Sequence, residues 1–89
     1  MKPKEENAIV VKSFEFACEM IDLYKKLSEL KYYKIADQVC ASGTSIGANV
    51  REAQRGSSRA DFINKLRISL KEAEETKFWF EVIEKKYLS

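Results

Sequence analysis

Ser42-Gly43-Thr44-Ser45-Ile46-Gly47-Ala48-Asn49-Val50 holds two of the chain's three glycines within nine residues. It lies inside a longer segment, about Tyr33 to Arg55, whose spacing reads as a helix. Ile35, Val39, Ser42, Ile46, Asn49 and Ala53 recur at intervals of three and four. Beside them runs a second stripe, Ala36, Cys40, Gly43, Gly47 and Val50, made almost wholly of small residues. Each glycine inside a helix costs about 1 kcal/mol relative to alanine. A neighbouring backbone packed on the bare surface can offset that loss, as in small-xxx-small contacts. The competing reading breaks the helix at Ser42-Gly43-Thr44-Ser45, and spacing alone leaves both open.

Working outward, the chain shows two more helical segments and no alternating strand pattern. The first runs from about Asn7 to Leu30. It carries one apolar stripe of Val10, Phe14, Ala17, Ile21, Tyr24 and Ser28, and another of Phe16, Met20, Leu23, Leu27 and Leu30. The two stripes lie roughly 110° apart at about 100° per residue. A surface helix of a small monomer usually has one stripe, so this helix needs partners on two sides. The third segment runs from about Arg59 to Tyr87, with Phe62, Leu66, Ser69, Ala73, Thr76, Phe80, Ile83 and Tyr87 on one face. Gly56 is placed at the left-handed cap of the second helix, and Ser58 with Asp61 resembles a capping box. Phe78, Trp79 and Phe80 are consecutive and cannot all face one core. They are expected to meet a further element or another subunit.

The chain has 89 residues, 45% hydrophobic and 34% charged, enough for one thin-cored domain spanning residues 1–89. No apolar run approaches the ~20 residues of a membrane span, and Met1-Lys2-Pro3-Lys4-Glu5-Glu6 lacks a signal-peptide core. A cytoplasmic protein is expected. The absence of histidine removes the commonest general base and metal ligand. Cys18 and Cys40 form no CxxC pair, so no metal and no cofactor are expected, and both read as reduced, small apolar residues. The net charge of +2 is uneven: residues 31–71 hold eight Lys or Arg against three acids, between two mildly acidic flanks.

The Ser42–Val50 stretch, followed by Arg51-Glu52-Ala53 and Ser58-Arg59-Ala60-Asp61-Phe62, resembles a bacterial four-helix-bundle family. That family is named for the protein encoded in intervening sequences of 23S rRNA genes. Ile9-Val10-Val11-Lys12-Ser13-Phe14-Glu15-Phe16-Ala17 and Ala73-Glu74-Glu75-Thr76-Lys77-Phe78-Trp79-Phe80 fit it as well. The resemblance implies an all-α, antiparallel up-and-down bundle with the second helix continuous through both glycines. Several members form pentameric rings, so a homo-oligomer is expected, with five subunits the leading number. One relative, the accessory protein of diversity-generating retroelements, forms such a ring and is held to bind nucleic acid and a reverse transcriptase. Family members continue past a pair like Tyr87-Leu88 into a further helix. The chain given ends at Ser89, so three helices are expected with the family's fourth missing.

Arg51 and Arg55, four apart on one helix face, Arg59 just past the Gly56 turn, and Arg67 with Lys71 on the next helix are candidate phosphate ligands for RNA or DNA. The alternative is a solvated surface whose charges pair locally with Glu52, Asp61 and Glu72. No aromatic is interleaved with the arginines in the sequence, so stacking on single strands is not indicated there. Ser42, Ser45 and Asn49 have no base beside them. With Gly43 and Gly47 they read as a helix-packing seam centred on Asn49, not as a catalytic set. Phe78 and Trp79 are candidates for an oligomer interface. The expectation is a non-enzymatic oligomeric protein that binds nucleic acid or a nucleic-acid enzyme. The alternative is a purely structural homo-oligomer or mobile-element remnant.

Overall fold

A computed structural model describes residues 7–87; the Met1–Glu6 stretch and Leu88, on which part of the sequence reading rests, lie outside the described residues. The chain forms three α-helices, α1 (Ala8–Glu29), α2 (Tyr33–Ala53) and α3 (Arg59–Tyr87), with no strand among the described residues. α2 is unbroken through Gly43 and Gly47.

The close approach that the small stripe requires is made by α1. A Cβ placed on Gly47 would lie 2.9 Å from the backbone oxygen of Ser13, and one on Gly43 would lie 2.5 Å from Met20 Cγ. α1 therefore rests almost backbone to backbone on α2 at Gly47. The opposite seam, with α3, is polar. Thr76 Oγ1 donates to Ser42 Oγ at 2.9 Å, and Ser69 Oγ donates to the Ile46 carbonyl at 2.9 Å. Ser42 Oγ in turn faces the Val39 carbonyl at 3.3 Å, so this buried hydroxyl is satisfied on both counts. The seam is centred on Ser42 and Thr76, not on Asn49. Asn49 donates to the Ser45 carbonyl of its own helix, and Ser45 Oγ donates to Ala41 O. Four residues' separation along a helix puts each of these carbonyls within reach of the side chain below it.

α2 thus lies between two helices that pack on it and make no comparable backbone approach to each other. α1 and α3 meet through side chains: the Phe16 and Phe80 rings stand edge to face, centroids 6.2 Å apart. The apolar core gathers Met20 and Leu27 from α1, Ile35, Ala36 and Val39 from α2 and Ile83 from α3. The stripe of Phe16, Met20, Leu23 and Leu27 is the one turned to this core. The other stripe of α1 buries Val10 but leaves Phe14, Ile21 and Tyr24 exposed. The consecutive aromatics of α3 diverge. Phe78 is exposed, Trp79 is half-buried with Nε1 donating to the Glu75 carboxylate at 3.1 Å, and Phe80 meets Phe16.

The caps correct one expectation. Gly56 does not have a positive φ; among the described residues that conformation belongs to Lys31, at φ 67°. Lys31 follows the end of α1 in a Schellman arrangement. The Tyr32 N–H donates to Leu27 O and the Lys31 N–H to Ser28 O, both at 2.9 Å. The apolar contact that accompanies this motif is present, since Tyr32 packs on the cluster containing Leu27. Gly56 is small for a different reason: a Cβ there would lie 3.0 Å from the Phe62 nitrogen and 3.3 Å from Ala53 O. The Ser58 cap is as expected, with Oγ accepting from the Asp61 N–H at 3.1 Å. At the start of α1, Asn7 accepts from the Ile9 N–H at 3.0 Å.

Two consequences can be measured. Gly47→Ala should destabilise by about 1–3 kcal/mol through overpacking, because a backbone carbonyl cannot turn aside. Gly43→Ala should cost less than Gly47→Ala, because the clash there is with the Met20 side chain, which can shift within the core, and alanine regains about 1 kcal/mol of helix propensity. Urea melts of the two variants check the order, and equal loss at both sites would contradict it. Lys31→Gly should stabilise by about 1 kcal/mol, because a left-handed L-residue carries a steric cost that glycine lacks. A melting temperature at or below that of the parent would count against a left-handed Lys31.

Candidate nucleic-acid interface

The last turn of α2 carries Arg51, and Arg55 follows two residues past its end, next to the N-terminal half of α1. The glycine contact at Gly47 brings Phe14 and Ala17 of α1 up to this side. Together with Ala48 and Glu52 they enclose an open cavity of about 390 Å3. Its floor is apolar and small; its rim is cationic. The Arg51 guanidinium lies 5.3 Å from the centroid of the Phe14 ring, a cation–π contact that holds the charge at the mouth. Phe14 itself is 53% exposed, so the ring is a platform more than a core residue.

The local neutralisation considered from the sequence is largely taken up elsewhere. Glu52 pairs with Lys65 of α3, Nζ to Oε1 2.7 Å. Asp61 accepts from Ser57 Oγ inside the α2–α3 turn. No ion pair between described residues involves Arg51, Arg55, Arg59, Arg67 or Lys71, and all five side chains are exposed. Arg59 opens α3 just beyond the turn. Arg67 and Lys71 stand apart from this group. Each is two positions from Ser69, which bonds α2, and at about 100° per residue both point away from α2. The structure therefore gathers Arg51 and Arg55 at one mouth, keeps Arg59 at the same end, and turns Arg67 and Lys71 to the outer face of α3.

The residue that sequence reasoning missed is Phe14. It is an aromatic that meets Arg51, yet it stands on another helix, so no local interleaving reveals it. Its only sequence signal is its place in the apolar stripe of α1 that runs Val10, Phe14, Ala17, Ile21 and Tyr24.

Ser42, Ser45 and Asn49 are occupied with the helix bonds described above. Cys18 and Cys40 are free thiols; Cys40 is half-buried, and burial first, then the Asp37 carboxylate, pushes its thiol up and makes it a poorer nucleophile. Among the described residues no three His, Cys, Asp or Glu side chains gather as they would around a metal ion. Among the same residues no helix is long and apolar enough to cross a membrane.

Comparison with known proteins fits this arrangement of helices. The profile described as 23S rRNA-intervening sequence protein matches residues 5–89, nearly the whole chain. The chain belongs to the 23S rRNA-intervening sequence protein family. A solved structure from Bacteroides thetaiotaomicron, described as a protein of unknown function from the S23 ribosomal protein family, superposes with a TM-score of 0.89. It is 49% identical, and the match covers 92% of this chain and 77% of that one. No curated protein matches. Membership in the intervening-sequence family is what the Ser42–Val50 stretch had suggested, and the unbroken α2 is its structural counterpart.

Proposed function

We propose that this member of the 23S rRNA-intervening sequence family is a non-enzymatic, self-associating helical protein whose arginine corner binds nucleic acid through phosphates. The observation that carries the reading is the pairing state of that corner. Arg51 and Arg55 share one apolar-floored cavity, Arg51 is held by Phe14, and the nearest carboxylate, Glu52, is engaged by Lys65. Unpaired guanidinium groups fixed at a surface suit phosphate oxygens, which need point charges and forked donors rather than a deep pocket. Such contacts are tolerant of base sequence. The family names refer to 23S rRNA and to the ribosome, so RNA is the first ligand to try.

Self-association is supported by apolar side chains that the three helices leave open. Ile21 and Tyr24 lie exposed on α1, and Phe78 on α3 is 54% exposed. The family resemblance favours five subunits. A ring would repeat the arginine corner and multiply weak phosphate contacts. The expected compartment is the cytoplasm, where Cys18 and Cys40 stay reduced.

Binding to RNA and to DNA should be measurable at low salt by fluorescence anisotropy and should fall steeply as salt rises. Changing Arg51, Arg55 and Arg59 together to Glu should weaken it about tenfold or more while helicity is kept. Changing Lys25 and Lys26 on α1 should matter far less. If the triple variant binds as the parent does, the corner is only a solvated surface and the purely structural reading takes its place. Sedimentation should show an oligomer at micromolar concentration, and Phe78→Glu should shift it toward monomer by placing a charge in an apolar contact. A parent that sediments as a monomer would remove the self-association half of the proposal.

A further inference from the structure

The opposite end of the molecule carries a different chemistry. There the α1–α2 turn meets the last turn of α3. The Tyr32 and Tyr87 rings stack with centroids 4.0 Å apart and planes 19° from parallel. Tyr33, the next residue, is 58% exposed. These three tyrosines, with Lys31, Lys34 and Ile35, border an open cavity of about 290 Å3. Its size is at the lower edge of the range for small-ligand sites, about 300 Å3.

Three features separate this cleft from ordinary surface. No residue lining it is acidic, and the nearby Glu84 lines the groove between α1 and α3 instead. Tyr32 is committed to the core and to Tyr87, which leaves Tyr33 as the most exposed ring of the cleft. The left-handed Lys31 stands in the turn before α2, and Tyr32, Tyr33 and Lys34 follow it directly, so that all four border the cleft.

We propose that this cleft is a single-stranded nucleic-acid subsite, in which an unpaired base stacks on Tyr33 beside the Tyr32–Tyr87 pair while Lys31 and Lys34 take the flanking phosphates. Aromatic stacking tolerates any base, because every base has a flat face, and lysine ammonium groups reach phosphates without reading base edges. A duplex keeps its bases stacked on each other and can offer this cleft phosphates alone. The inference shares the nucleic-acid reading of the arginine corner but none of its residues.

The test uses the full chain and fluorescein-labelled oligouridylate, the matching DNA single strand and a short RNA duplex, at low salt. Tyr33→Ala should weaken single-strand binding about tenfold or more and leave duplex binding as in the parent. Tyr33→Trp should keep or tighten single-strand binding. Lys34→Gln should weaken single strand and duplex alike and reduce the slope of affinity against salt by about one ion. A difference between the RNA and DNA single strands would tell which of the two the cleft prefers. Tyr33 is exposed, so none of these variants threatens the fold. In an Arg51→Glu, Arg55→Glu background the tenfold effect of Tyr33→Ala should persist, which separates the two sites. The inference is overturned if Tyr33→Ala binds the single strand as the parent does, or loses single strand and duplex equally. It is also overturned if the parent binds no single strand. Loss of binding on the arginine changes alone, with Tyr33 indifferent, would leave the corner standing and remove the cleft.

Discussion

The contact between Gly47 and the Ser13 carbonyl sets the separation of α1 and α2, and most of the molecule follows from that separation. With a side chain at residue 47 the helices would stand further apart. At the present distance Met20 covers Gly43, and Leu27 reaches Ile35, Ala36 and Val39. The same closeness brings Phe14 under Arg51 and closes the floor of the arginine cavity with Ala17 and Ala48. A helix pays about 1 kcal/mol for each interior glycine; here the return is dispersion contact along a whole seam. The seam with α3 is held by different means. Two hydroxyl hydrogen bonds, Thr76 to Ser42 and Ser69 to Ile46, fix its register, and directional bonds of this kind tolerate little sliding.

How much of this is legible in the sequence depends on how local the cause is. The three helices follow from spacing, and α3 runs from Arg59 to Tyr87 as its spacing indicates, while α2 stops at Ala53, short of Arg55. The two apolar stripes of α1 are visible too, and the structure distinguishes them: one faces the core and the other stays open. The left-handed residue was not legible. Glycine is the usual occupant of that conformation, so Gly56 attracts the assignment, while the Schellman turn at Lys31 is closed by the Tyr32 N–H on the Leu27 carbonyl, with Tyr32 packed on the core. The seam centre was misplaced for a similar reason. Asn49 has the larger amide, but Ser42 has the partner, and the partner lies 34 residues away on another helix.

The candidate sites divide in the same way. Arg51, Arg55 and Arg59 are neighbours in sequence and remain neighbours in space. Arg67 and Lys71 share their charge but not their direction, because a residue two positions from Ser69 must point elsewhere. Phe14 and Tyr87 complete their respective sites only through the fold, one by the pairing of α1 with α2 and the other by the return of α3. Aromatic residues therefore sit with cations at both ends of the molecule, although no stretch of sequence shows them interleaved.

The placement of α2 between two helices that do not pack backbone to backbone also bears on how the molecule forms and comes apart. Its helical contacts link neighbours in the chain, α1 to α2 and α2 to α3. Such a serial arrangement has low contact order, and folding of chains like this is fast because little loop entropy is spent before contacts form. It also makes cooperativity unequal. α3 buries only Ser69, Thr76 and Ile83 among its described residues, so it can detach by local unfolding and leave the glycine seam intact. The reverse costs more: once α1 leaves α2, the cluster in which Ile83 packs loses Met20 and Leu27. Amide hydrogens of α2 would then be the slowest to exchange and those of α3 the first, giving the molecule a stable hairpin and a more loosely held third arm.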